Sequence, residues 1–126
     1  MLAIDSSQVE EFGISDENDV IAVGFKCTGV SEFHYVIVSI ERRRSPLRQD
    51  GWGPHIELDG RGYYHALIDL SLSPDADRLS VLLTPHLIAG DQVLSIELPE
   101  LSAEQRRLIG ELCTEIESAK ASKLSS

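Results

Sequence analysis

Hydrophobic positions recur with two different periods along this chain, and the change of period divides it. From Asp19 to Leu98 apolar side chains alternate with polar ones in short runs, whereas from Ser102 onward they recur every three or four residues. The first period is that of a half-buried strand and the second that of an amphipathic helix. Residues 102–120 therefore read as the one helix, with Leu108, Ile109, Leu112, Cys113 and Ile116 on one side. Glu104, Arg107, Glu111, Glu115 and Glu117 take the other side. Ser102 and Gln105 form a capping box at its start, and Pro99 ends the strand before it. Residues 121–126 read as a frayed tail.

Among the strands, Val20–Cys27 turns Ile21, Val23, Phe25 and Cys27 to one face. Phe33–Arg43 differs: Val36, Val38 and Ile40 fill one face while Phe33, Tyr35 and Ile37 fill the other. A strand apolar on both sides expects cover on both. One helix covers one side, so the acidic segment 1–18 or a second copy docking on Phe33, Tyr35 and Ile37 must cover the other. The N-terminal segment is preferred, with Val9, Phe12 and Ile14 as a short edge strand. His55–Asp59 and Tyr63–Leu72 predict a hairpin. Bringing Ile56 and Leu58 to the same face as Ala66, Ile68, Leu70 and Leu72 calls for a three-residue loop, Gly60-Arg61-Gly62. That register opposes Leu58 to Tyr64 and Ile56 to Ala66, and sets Glu57 across from His65 on the outer surface. Leu79, Val81 and Leu83, then Leu94, Ile96 and Leu98, supply further inward positions. The expected fold is α+β: one antiparallel meander of six to seven strands over residues 19–98, the C-terminal helix packed on one face, residues 1–126 a single domain.

Composition narrows the class. At 126 residues and 42% hydrophobic content the chain matches a soluble globular domain, and no apolar run approaches the roughly 18 residues of a membrane span. The N-terminus lacks a basic region followed by an apolar stretch, so a cytoplasmic location is expected. Twenty-one acidic against eleven basic residues give a net charge of −10, which argues against nucleic acid as a partner. The same charge suits docking on a basic protein, and equally suits plain solubility. Cys27 and Cys113 fall on core-facing positions and read as small buried hydrophobes.

Candidate chemistry is sparse. Arg42, Arg43, Arg44 and Arg48 form the basic cluster: either a phosphate or carboxylate clamp, or a solvated strand end whose arginines pair with the surrounding acids, which the net charge favours. Trp52, between Gly51 and Gly53, either folds onto the core edge or anchors a partner. His55, Glu57 and His65 are the residue types of a zinc site, but the helix-borne ligand spacing is missing, and a solvated His-Glu pair is the better reading. No Gly-x-Ser-x-Gly elbow, phosphate-cradling loop or dinucleotide fingerprint occurs. No enzymatic activity, cofactor or metal is expected.

From about Asp19 to Ile116 the order of elements resembles the immunity proteins of bacterial polymorphic toxin systems, most closely the immunity protein 10 family. The resemblance is carried by Val38-Ser39-Ile40-Glu41-Arg42, the loop Asp50-Gly51, and Ile56-Glu57-Leu58-Asp59 leading to Tyr64. It continues through Ala66 to Leu72, Arg78-Leu79-Ser80-Val81, and Ser95-Ile96-Glu97-Leu98 before the helix. It implies a small cytoplasmic protein, monomeric or homodimeric, that binds and blocks a cognate basic toxin domain. Charge and position put that contact on Trp52, Glu57, Asp59, His65 and Asp69. Two alternatives stay open: a homodimeric interaction or regulatory domain joined through Phe33, Tyr35 and Ile37, and a metal-dependent hydrolase using His55, Glu57 and His65.

Overall fold

The computed structural model describes residues 1–42, 54–85, 87–88 and 92–125, with side chains through residue 119. Within them the strands are β1 (Leu2–Ile4), β2 (Val9–Glu17), β3 (Val20–Cys27), β4 (Tyr35–Glu41), β5 (His55–Leu58), β6 (Arg61–Tyr64), β7 (Leu67–Leu72), β8 (Arg78–Leu83) and β9 (Val93–Glu97). The helix α1 spans Ala103–Ser125. The class is α+β, with mostly antiparallel strands and a C-terminal helix against them. Instead of one meander, however, the strands form two sheets, one of five in the order β2-β3-β4-β5-β6 and one of four in the order β1-β9-β8-β7. All pairings are antiparallel except β1 with β9.

The division has local causes. His65 adopts a left-handed φ of 65°, which a non-glycine residue takes only at a sharp change of direction. It splits the expected strand Tyr63–Leu72 in two, so that β6 stays in the larger sheet and β7 joins the smaller. At the other boundary Asp5–Gln8 makes a single 3₁₀ turn in which the Asp5 N–H donates to Gln8 Oε1 at 2.9 Å. The Ser6 N–H donates to Glu97 Oε1 at 3.1 Å, fastening this crossing to β9. The N-terminal segment thereby gives an edge strand to each sheet, β1 to one and β2 to the other. It does not lie across the second face of β4, as the sequence reading preferred.

Two-residue turns close two hairpins of the larger sheet. Asn18 and Asp19 (φ 54° and 62°) join β2 to β3, and Asp59 and Gly60 (φ 50° and 87°) join β5 to β6. Left-handed φ at both central positions is the type I′ pattern, whose twist matches that of the flanking strands. The second turn corrects the expected register. Leu58 stands opposite Arg61, Ile56 opposite Tyr63, Glu57 opposite Gly62 and His55 opposite Tyr64.

The inward faces of both sheets and the apolar side of α1 meet in one core, which includes Val23, Val38, Ile56, Val81, Ile96, Ile109, Leu112 and Ile116. Each such side chain contributes about 1.5–3 kcal/mol by leaving water. A bulge between Leu67 and Asp69 turns Leu67 inward and leaves Ile68, expected inside, 37% exposed. Phe33 precedes β4 and is buried in the core at 2% exposure, so it does not share a surface with Tyr35 and Ile37.

Helix α1 begins as expected: the Ser102 N–H donates to Gln105 Oε1 at 2.9 Å, and the Gln105 N–H to Ser102 Oγ at 3.1 Å. Its backbone stays helical through Ser125, past the expected fraying point. Glu115, expected on the solvent side, is buried. A buried guanidinium ties helix to sheet. Arg42, 5% exposed at the end of β4, donates from Nε to Glu111 Oε1 and from Nη1 to Asp16 Oδ1, both at 2.6 Å. Arg107 continues the chain of charges between Glu104 and Glu111. Arg42 is thus a structural tie: it pairs with acids, as the favoured alternative expected, but is buried where that alternative had it solvated. Arg43, Arg44, Arg48 and Trp52 lie outside the described residues.

Candidate interaction surface

Alternation along the strands sends every second residue of the five-stranded sheet away from the core, and the registers align these residues in rows across it. One row runs Gly13, Gly24, Ile37, Glu57, Gly62 from β2 to β6; the next runs Ser15, Ala22, Ser39, His55, Tyr64. On the other side Glu11 and Lys26 lead to Tyr35. Small residues thus occupy β2 and β3, while Tyr35, Ile37, His55, Glu57 and Tyr64 stand together over β4–β6.

This group is organised by specific contacts. The Tyr35 hydroxyl lies beside Glu57, and hydrogen bonding toward that carboxylate, with burial and the charges of Glu57 and Asp59, raises the phenol above its ordinary value. The His55 ring lies against Tyr64, centroids 4.7 Å apart and planes at 54°. Gly62 makes room for it: a Cβ there would fall 2.3 Å from His55 Nε2. Tyr64 is 48% exposed. Tyrosines beside a carboxylate are the residue types that anchor protein contacts, offering apolar area with little rotamer freedom to lose.

The residues singled out in the sequence separate into different roles. Glu57 belongs to this surface. Asp59 works locally: its Oδ1 accepts the N–H groups of His34 (2.8 Å) and Tyr35 (3.0 Å), pinning the start of β4 to the hairpin. Those backbone hydrogen bonds, Tyr35 first, hold its carboxyl below the ordinary value. His65 is exposed at the passage between sheets, not opposite Glu57. Asp69 stands on β7, in the other sheet, near Cys113 of α1. Tyr35 and Ile37 remain on the outer surface without Phe33. His55, Glu57 and His65 are not assembled into a metal-holding group, and no cluster of three or more His, Cys, Asp or Glu side chains suited to a metal occurs among the described residues.

Sequence reasoning missed Tyr64 and the His55 contact. The signal was Asp59-Gly60, whose two-residue turn aligns His55 with Tyr64 and Glu57 with Gly62. Both thiols are unreactive by environment: burial raises Cys27, and burial with the Asp69 charge pushes Cys113 up to about 11. Among the described residues no helix is long and apolar enough to cross a membrane. No family model matches the chain, and no curated protein matches it.

Proposed function

We propose that this chain is an immunity-type inhibitor that binds a cognate, basic toxin domain in the cytoplasm and neutralises it. The observation that carries the reading is the outer face over β4–β6, where Glu57 stands among Tyr35, Tyr64 and His55, in a chain of net charge −10. A carboxylate on a strand, among aromatic neighbours, presents its charge from a rigid element. The surrounding negative field draws a basic surface toward it. Aromatic anchors then supply the apolar contact that holds the complex together. The sequence pattern that resembles the immunity protein 10 family points to the same activity.

Co-expression tests this directly. The candidate toxin domain should arrest growth when expressed alone, and growth should recover when it is expressed together with this chain. Glu57→Gln combined with Tyr64→Ala should weaken rescue while leaving the circular dichroism spectrum unchanged. Rescue that is absent with the native chain removes the proposal. Rescue untouched by the double variant moves the contact off this face.

A further inference from the structure

The five-stranded sheet ends on one side at β2, the longest strand of the fold, and nothing among the described residues continues the sheet beyond it. The Val9 N–H closes the preceding turn on Ser6 O, and from Glu10 to Ser15 no backbone hydrogen bond joins a described residue outside the ladder with β3. The strand contains no proline, and its one irregularity lies between Val9 and Glu11, so Glu11–Glu17 is a straight edge. Such an edge is a template for another strand unless something blocks it. Here the guard is acidic: Glu11 and Glu17, with Glu10 4.0 Å from Lys26, Asp16 bound to Arg42, and no basic residue in the strand.

That pattern disfavours full-length pairing with a second copy. In a two-fold antiparallel pairing centred on Ile14, Glu11 of each copy meets Glu17 of the other. Centred on Gly13, the register that pairs the whole strand, Glu10 meets Asp16. Like charges directly opposed destabilise a ladder, whereas registers centred on Phe12 or Ser15 oppose no two acids but pair fewer residues. A basic strand meets the opposite situation. Glu11 and Glu17 lie on the outer face with Gly13 and Ser15 between them, where a Cβ built on Gly13 meets nothing within 4 Å. On the inner face Phe12 and Ile14 are only half-buried at the sheet's margin.

We propose that β2 receives an extended segment of a basic partner as a sixth, antiparallel strand. Its cations stand opposite Glu11 and Glu17, and its alternate apolar side chains cover Phe12 and Ile14. Backbone hydrogen bonds supply the affinity and the alternation supplies the selectivity. This rests on the inhibitor reading for the identity of the partner but not for the existence of the edge site.

The test uses the whole chain and a nine-residue peptide of alternating lysine and valine, with a glutamate-valine peptide as control, followed by amide hydrogen exchange at low salt. Slowed exchange within Val9–Ser15 on adding the lysine peptide alone is the expected result. Glu11→Lys with Glu17→Lys should weaken that binding at least tenfold. Glu11→Lys alone should create a self-complementary edge and a dimer in sedimentation, since the introduced lysine of each copy then meets Glu17 of the other. No protection in β2, equal protection by both peptides, or a native chain already dimeric through β2 would each overturn the proposal. If the chain neutralises a toxin while exchange in β2 is unchanged, this inference fails and the inhibitor reading survives. If the peptide protects β2 but no toxin is neutralised, the reverse holds.

Discussion

Replacing Arg42 by methionine should be the most damaging single substitution in the described polar framework, and its size follows from the geometry. The guanidinium is 5% exposed and makes two 2.6 Å hydrogen bonds, to Asp16 on β2 and Glu111 on α1. Each pair is worth about 4 kcal/mol of attraction at an effective dielectric constant near 20, offset by several kcal/mol of desolvation. Methionine keeps most of the apolar stem but leaves two carboxylates facing each other. Breaking a fully buried pair costs about 3–5 kcal/mol. Here the carboxylate side chains keep 34% and 30% exposure and regain some hydration. We therefore expect a loss of about 2–4 kcal/mol, or roughly 10 °C in Tm for a domain of this size.

The pH dependence adds a second signature. The Arg42 hydrogen bond, with the charges of Arg42 and Arg107, holds Glu111 below its ordinary 4.5. A depressed carboxyl stabilises the fold above its unfolded value, and that contribution is lost as pH falls through the folded one. The native chain should therefore weaken on acidification below about pH 5, and Arg42→Met should show a shallower acid limb. Urea denaturation followed by circular dichroism at pH 7, 5 and 4 measures both effects. Adding Asp16→Asn and Glu111→Gln should restore at least half of the loss. A stability change under about 0.5 kcal/mol at pH 7, or no recovery in the triple variant, would show that Arg42 is not the tie described.

Three further outcomes follow from single positions. Gly110 lies inside α1 with nothing within 4 Å of a built Cβ, so Gly110→Ala should stabilise by about 0.5–1 kcal/mol, read as a higher Tm. Gly62→Ala should displace the His55 ring from Tyr64, visible as shifted His55 and Tyr64 side-chain resonances; unchanged resonances would contradict the packing. Asp59→Ala should lower Tm more than Asp59→Asn, whose amide oxygen still accepts from His34 and Tyr35; equal losses would dismiss the backbone clamp.

The helix was legible because its signals agree: the spacing of Leu108, Ile109, Leu112 and Ile116, and the capping pair Ser102 and Gln105. Strand β3 was equally plain, since Ile21, Val23, Phe25 and Cys27 alternate without interruption and all four are buried. The division into two sheets was not, because it turns on His65, an ordinary residue in a left-handed conformation inside an apolar run. The β5–β6 register was available in Asp59-Gly60 but was masked by the adjacent Gly60-Arg61-Gly62, which accommodates a longer loop equally well. Phe33 misled because alternation was extended past the true start of β4. For the site, Glu57 could be read from parity alone. The hydroxyl and the rings beside it depend on cross-strand neighbours, which only the register supplies.

Whether a negatively charged outer sheet face meets a basic toxin domain can be read from one quantity. It is the association rate of this chain with the candidate toxin domain, followed across a series of salt concentrations. Binding should be rapid at low salt and slow steeply as salt rises, with a further slowing in Glu57→Lys. A rate indifferent to both salt and that reversal, or no complex at any salt concentration, would contradict the proposed docking.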